Sequence, residues 1–164
     1  MMDSSSVRLV GLDVGERRIG IAVSDELGLT AQARGVLQRS SLQADIESLV
    51  HTAKNEHAGG FVVGLPLRTS GCEGPEAEKV RAFATQLQQV SGLPVYYMDE
   101  RYSTTMAEAV LLSADISRKK RRQKVDQLAA ALILQGYLDK QRSLMQRREH
   151  PLDERGGTND GTRK

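Results

Sequence analysis

The sequence predicts an α/β domain in which helices cover a mixed five-stranded sheet. Three observations lead to this prediction. The length of 164 residues suits one domain. Two apolar segments joined by the turn Gly15-Glu16-Arg17 open the chain as a hairpin, which favours antiparallel pairing. Later apolar segments alternate with helical periodicity, and such strand–helix–strand units favour parallel strands.

The strands are recognised by short apolar segments between turn residues. The segment at 61–66 is continuously apolar, as expected for a strand in the middle of a sheet covered on both faces, and Pro66 ends it. The segment at 30–37 alternates less clearly. The predicted strands cover residues 7–14, 18–24, 30–37, 61–66 and 93–98.

The helices are recognised by apolar residues at a spacing of three and four. Gly59-Gly60 is predicted to end the first helix, and Pro75 suits the first turn of the second. Thr105 and Glu108 form a capping box at the start of the third. The predicted helices cover residues 42–55, 75–90, 104–112 and 122–140.

Composition bounds the domain and its surroundings. Hydrophobic residues make up 39% and charged residues 27%, which excludes a disordered or membrane-embedded chain. No apolar run approaches the about 18 residues of a spanning helix, so we expect a cytoplasmic protein with no membrane partner. Cys72 is the only cysteine, which excludes a disulfide framework. We predict a disordered N-terminus at 1–6, one domain at 7–141 and a flexible polar tail at 142–164.

Three acidic residues, far apart in the chain, are candidates for one active site. Asp13 lies at the end of the first strand, and Glu100 follows the fifth strand directly. Ligands of such sheets bind at the carboxyl ends of the strands. Asp126 lies on the helix face that points to the sheet, because Ala130 and Ile133 follow it at helical spacing.

Carboxylates beside apolar segments need a positive partner, and a pair of Mg²⁺ or Mn²⁺ ions would supply it. Two such ions clamping a phosphodiester are a common route to its hydrolysis. The three acids therefore predict a metal-dependent phosphodiesterase, in which Asp13 bridges the ions and Glu100 and Asp126 complete their shells.

Each acid also has a structural interpretation. Asp13 precedes a glycine, as turn-forming aspartates do. Glu100 has Asp99 as a neighbouring rival, and the same Asp-Glu-Arg tripeptide recurs at 153–155 without a strand before it. Asp126 could be a first-turn aspartate satisfied by Arg122 or Lys124.

A basic run precedes or forms the start of the last helix. It places six cations in the seven positions 118–124, where they oppose the helix dipole, so phosphate contacts are their expected role. Aromatic residues are only 4%, which favours recognition of backbone and shape over base stacking. The predicted nucleic-acid-binding residues are Arg18, Arg101, Arg118, Lys119, Lys120, Arg121, Arg122 and Lys124.

Glycines near Asp13 leave the backbone open to close approach. Gly11 and Gly15 flank Asp13, so we expect a ligand to come near the main chain there. Gly64 and Pro66, at the end of the fourth strand, are predicted to lie near the same site.

Several motifs together resemble the YqgF family, also called pre-16S rRNA nucleases or RuvX-type Holliday-junction resolvase homologues. The resemblance runs from about Val7 to Leu138. The residues that carry it are 10–25 (Val-Gly-Leu-Asp-Val-Gly-Glu-Arg-Arg-Ile-Gly-Ile-Ala-Val-Ser-Asp), 62–67 (Val-Val-Gly-Leu-Pro-Leu), 73–84 (Glu-Gly-Pro-Glu-Ala-Glu-Lys-Val-Arg-Ala-Phe-Ala), 99–104 (Asp-Glu-Arg-Tyr-Ser-Thr) and 124–130 (Lys-Val-Asp-Gln-Leu-Ala-Ala).

The resemblance implies a ribonuclease H-like fold and a bacterial nuclease that matures the 5′ end of small-subunit ribosomal RNA. By position, the family's catalytic acids fall on Asp13, Glu100 and Asp126. The implied partners are structured RNA, branched DNA or ribosomal precursor particles, with the chain a monomer or homodimer. One departure stands at 68–70, where Arg-Thr-Ser replaces the Asn-Met-Asp of many relatives.

Three alternatives stay open at this point. The same chemistry would serve a Holliday-junction resolvase acting on DNA. A non-catalytic nucleic-acid-binding or ribosome-assembly factor would keep the fold without the activity. An actin-like ATPase shares the Asp-x-Gly strand opening but needs two such domains, for which this chain is too short.

Overall fold

The computed structural model describes residues 8–68, 70–99 and 118–149. Within these ranges the strands are β1 (Arg8–Val14), β2 (Arg18–Ser24), β3 (Ala31–Gln38), β4 (Ala58–Leu65) and β5 (Val95–Asp99). The helices are α1 (Leu42–Asn55), α2 (Pro75–Ser91) and α3 (Arg118–Glu149). The predicted helix at 104–112 lies outside the described residues.

The strands form one five-stranded sheet in the order β3-β2-β1-β4-β5. β1 pairs antiparallel with β2, and β2 pairs antiparallel with β3. β4 pairs parallel with both β1 and β5. The predicted mixed sheet is confirmed, and the carboxyl ends of β1, β4 and β5 meet at one edge, called here the carboxyl edge.

The helices cover the two faces of the sheet separately. On one face, α1 and α2 pack on alternate strand residues such as Leu12 and Val63. On the other face, α3 packs through Ala130 and Leu134 on Ala22 and its neighbours. Each strand therefore contributes its two sets of alternate residues to two cores.

Local signals explain the helix ends. The Ser41 hydroxyl accepts a hydrogen bond from the Ala44 amide at 3.1 Å and caps α1. Pro75 opens α2, and Gly92 ends it with a φ of 72°, a left-handed conformation that glycine adopts without strain. Both helices were predicted within one residue of these ends.

The predicted start of β4 is wrong. β4 begins at Ala58, before the glycine pair that was expected to end the helix, because His57 makes the turn with a φ of 56°. Gly60 then lies within the strand, where a Cβ would come within 3.2 Å of the Pro94 carbonyl oxygen.

The last helix is longer than predicted at both ends. It begins at Arg118 and continues to Glu149, so the predicted polar tail at 142–164 starts within a helix. The residues at 142–149 are mostly strong helix formers, which do not need an apolar stripe to remain helical. Arg142 also donates to the Leu29 carbonyl oxygen at 3.1 Å, which ties this extension to the β2–β3 turn. The rest of the predicted tail, and the predicted disordered segment at 1–6, lie outside the described residues.

Candidate active site

Asp13 lies near the carboxyl end of β1, partly buried, and faces α3. Its cross-strand partner on β2 is Gly20. Opposing residues of an antiparallel pair point to the same face, and so do residues two apart on a strand. The positions of Gly11 and Gly20 on the α3 side therefore assign the Asp13 side chain to that side as well.

Asp126 reaches the same place from α3. A Cβ on Gly20 would overlap the main-chain carbonyl of Asp126, so the helix lies directly on the strand at this point. Because Gly20 is paired with Asp13, the Asp126 main chain lies over the residue that is next to Asp13 across the β1–β2 pair. The predicted orientation of Asp126 toward the sheet is confirmed.

Among the described side chains, the positive partner of Asp126 is Arg18. The Arg18 Nε donates to Asp126 Oδ2 at 2.7 Å, and the two side chains are 23% and 20% exposed. Arg18 stands two residues before Gly20 on β2, on the face that α3 covers. The partners expected from sequence were Arg122 and Lys124, because a contact over 108 residues leaves no local signal.

The third predicted acid, Glu100, lies outside the described residues, as does Arg101. Its rival Asp99 is the last residue of β5. Tyr96 stacks on Tyr137 of α3, while Tyr97 packs in the core under α1 and α2. Alternation along β5 therefore puts Asp99 on the face opposite Asp13.

The turn between Asp13 and Arg18 is braced from the other side. The Arg39 Nη1 donates to the Gly15 carbonyl oxygen at 2.9 Å, and its Nε donates to Asp45 Oδ2 at 2.9 Å. Asp45 is 2% exposed and also accepts from the Ser40 amide at 3.0 Å. The Arg39 guanidinium lies 5.0 Å from the centre of the Phe83 ring. This set of contacts fixes the hairpin that carries the site.

Four positions were predicted to lie near the site, and the structure gives them different surroundings: Gly11, Gly15, Gly64 and Pro66. Gly15 is exposed in the hairpin turn. Gly64 is buried in β4, one residue after the pair that joins β4 to β1 next to Asp13. The space at Gly11 is taken by α3, because a Cβ there would stand 2.7 Å from the Leu134 Cβ. The expectation that a ligand approaches Gly11 is therefore wrong.

Pro66 lies at the carboxyl edge but toward the opposite face. It lines a cleft of about 600 Å³ with Val14 and Phe83, between the hairpin turn, α1 and α2. This cleft is separated from Asp126 by the sheet.

The predicted basic run forms the first two turns of α3, whose backbone is helical from Arg118. Lys124, at the end of the run, is exposed two residues before Asp126. The remaining basic side chains of the run lie outside the described side chains.

No group of three or more His, Cys, Asp or Glu side chains that could hold a metal ion occurs within residues 8–68, 70–99 and 118–149. Glu100 is outside that range. Asp13 and Asp126 supply carboxylate oxygens, the donors that Mg²⁺ and Mn²⁺ prefer, so these residues fit the predicted ions in chemical type. Among the described helices, none combines the length and apolarity needed to cross a membrane.

Residues 7–140 match the RuvX family, which is described as Holliday junction resolvase. The chain belongs to the RuvX family. A relative from Symbiobacterium thermophilum, named "Putative pre-16S rRNA nuclease", is 54% identical over 133 residues, which cover 81% of this chain and 92% of that protein. A relative of the same name from Moorella thermoacetica is 51% identical over 134 residues, covering 82% and 96%.

Solved structures give the same fold. The RuvX chain resembles T. thermophilus RuvC in complex with a Holliday junction substrate, with a TM-score of 0.51, 14% identity, and coverage of 82% of this chain and 95% of that one. A second Thermus thermophilus RuvC structure has a TM-score of 0.51, with coverage of 84% and 97%. The predicted ribonuclease H-like fold is confirmed. Family membership confirms the enzyme class as well, a nuclease that hydrolyses ester bonds of nucleic acid.

Proposed function

We propose that this RuvX chain is a metal-dependent nuclease that processes the 5′ end of pre-16S rRNA, acting in the cytoplasm on structured precursor RNA or ribosomal precursor particles. The observation that carries the proposal is that Asp126 of α3 lies on Gly20, the cross-strand partner of Asp13, so both acids belong to the same face of the sheet.

Asp13, Asp126 and Glu100 are the residues proposed to hold two Mg²⁺ or Mn²⁺ ions. Met98 of β5 lies against Gly136 of α3, so the face of β5 that carries Met98 is also the face of the sheet that carries Asp13. When bound, such ions supply an activated water and stabilise the leaving oxygen of a phosphodiester.

Other residues of the chain position the acids and bind the substrate. Gly20 lets α3 approach until Asp126 stands over the strand that pairs with Asp13. Lys124 and the rest of the basic run, together with Arg18 and Arg101, are proposed to neutralise the phosphates that flank the cut. The hydrogen bond from Arg39 to the Gly15 carbonyl oxygen restrains the turn of the hairpin that carries Asp13 and Arg18.

RNA is the first candidate substrate because the relatives that share about half of the sequence carry an rRNA nuclease name. The description of the family supports a second candidate, a four-way DNA junction. A resolvase would have to engage two strands at once, which requires a symmetric dimer.

The test uses the purified full-length chain, labelled pre-16S rRNA fragments and four-way DNA junctions, with Mg²⁺ or Mn²⁺. We expect cleavage of the RNA near the mature 5′ end, loss of cleavage in Asp13→Asn, and retained cleavage in Asp99→Asn. Asp99 is the matched control because it ends β5 at the same edge of the sheet but belongs to the opposite face.

Each outcome decides between the candidates. If the chain cuts the DNA junction but not the RNA, the substrate is branched DNA and the chain is a Holliday-junction resolvase. Salt-dependent binding without cleavage in either metal would make the chain a non-catalytic factor. Full cleavage by Asp13→Asn would overturn the site.

A further inference from the structure

We infer that Arg18 is the counter-ion of Asp126 while no metal is bound. When a divalent cation binds, Arg18 must leave the Asp126 carboxylate, and its guanidinium becomes available to the substrate phosphate. The inference rests on the proposed function. It adds a role for Arg18 in metal uptake to its predicted role in holding nucleic acid.

The ion pair between Arg18 and Asp126 is strong, although Asp126 is proposed to bind a cation. Arg18 Nε and Asp126 Oδ2 are 2.7 Å apart, and both side chains keep less than a quarter of their surface in solvent. Charge-assisted hydrogen bonds of this length are stronger than neutral ones, and partial burial reduces their screening by salt. One oxygen of Asp126 is thus already engaged by a positive group.

Both partners are held by their backbones rather than drawn together by the ion pair alone. The Gly15 amide donates to the Arg18 carbonyl oxygen at 2.9 Å, which fixes the start of β2. The main chain of Asp126 is seated on Gly20, two residues further along the same strand. The main chains of Arg18 and Asp126 therefore stay close to each other when the side-chain ion pair is broken.

A guanidinium and a divalent cation on one carboxylate repel each other at close range. Arg18 can move away from Asp126 without disturbing β2, because its long side chain has several rotatable bonds and is partly exposed. Once the Arg18 guanidinium has left Asp126, its fork of N–H donors remains beside the site. The geometry of this fork suits two oxygens of a phosphate. Metal uptake and phosphate binding are then coupled through one side chain.

The experiment is calorimetric titration of the full-length chain with Mn²⁺ or Mg²⁺ alone, with no nucleic acid present. Arg18→Gln removes the counter-ion, and we expect it to bind the metal roughly fivefold more tightly, the scale of a partly exposed ion pair. Arg17→Gln is the matched control, because Arg17 is exposed in the adjacent turn and carries the same charge. We expect its affinity to equal that of the parent chain.

A competing role for Arg18 would reverse the sign of the effect. If Arg18 only orients Asp126 for the metal, Arg18→Gln weakens metal binding, and that result overturns the inference. Equal affinity for the parent chain and Arg18→Gln overturns it too. In either case metal binding that is lost in Asp13→Asn leaves the proposed function intact, whereas an absence of metal binding in the parent chain overturns both.

A measurement on the unsubstituted chain covers the case in which Arg18→Gln does not fold. The Arg18 Nε–H signal is followed by nitrogen–proton correlation spectroscopy and assigned by its loss in Arg18→Lys. We expect saturating Mg²⁺ to shift this signal and speed its exchange with water as the contact with Asp126 breaks. An Nε–H signal that stays unchanged while Mg²⁺ shifts the Asp13 amide would contradict the displacement.

Discussion

A Cβ on Gly20 would occupy the position of the Asp126 main-chain carbonyl, so strand β2 and helix α3 meet backbone to backbone. This contact brings Asp126 over the strand that pairs with Asp13. A substitution of Gly20 by a larger residue would therefore move Asp126, although Gly20 has no side chain that could take part in the reaction.

Gly20→Ala should destabilise the chain, because α3 must move off the strand to make room. We expect a loss of about 1–3 kcal/mol in the free energy of unfolding, the usual cost of overpacking, and lower cleavage. Gly35→Ala is the control, since a Cβ at Gly35 on neighbouring β3 meets nothing within 4 Å. Denaturant unfolding of both variants measures the difference, and equal stabilities would contradict the close contact.

Arg39→Met should destabilise the chain more than the same change at Arg34. It leaves the Asp45 carboxylate, which is 2% exposed, without its charged partner, and we expect a loss of about 3–5 kcal/mol. Arg34 pairs with Glu56, but its side chain is 41% exposed, so its loss should be at most about 1 kcal/mol. Denaturant unfolding measures both; a small effect at Arg39 would show that the brace is not needed.

The stability of the chain should fall in acid partly through Glu56. The hydrogen bond from Arg34, aided by the charge of Arg8, lowers the pKa of Glu56 from its ordinary value of 4.5. A lowered pKa in the folded state gives stability that is present above pH 4.5 and lost as the pH falls through the folded value. Unfolding free energies of Glu56→Gln and the parent chain should converge at low pH, and a constant difference would contradict this.

Lys124→Gln should weaken nucleic-acid binding and reduce its dependence on salt. If Lys124 contacts one phosphate, the slope of log affinity against log salt should shrink by about 0.7–0.9. Lys140→Gln removes the same charge from an exposed position further along the same helix. Binding measured over a series of salt concentrations should leave the Lys140→Gln slope unchanged. Identical slopes for the two variants would remove Lys124 from the interface.

The sheet and the first two helices were predictable from sequence because their signals are local. The apolar segment at 61–66 and the proline at 75 each mark an element within a few residues. The start of β4 was not predicted because a pair of glycines such as Gly59-Gly60 fits a turn as well as a strand that has close neighbours. The turn at His57 and the close contacts of Gly60 with Leu9 and Pro94 distinguish them, and both arise only in the folded chain.

The places of Asp13 and Asp126 in the fold were predictable for a related reason, while their surroundings were not. Asp13 ends a recognisable strand, and Asp126 has a helical spacing to apolar residues. Arg18, which forms an ion pair with Asp126, lies 108 residues away from it, and the need for glycine at position 20 arises only when α3 reaches β2. Both follow from tertiary packing, which leaves no pattern in a short window of sequence.

The most direct test of the shared site is a crystal structure of the chain grown with Mn²⁺, read through the anomalous signal of the metal. We predict a peak at ligand distance from both Asp13 and Asp126, with the Arg18 guanidinium no longer on Asp126. A peak at some other group of residues, or full Mn²⁺ occupancy with Asp126 still held by Arg18 and away from the metal, would contradict it.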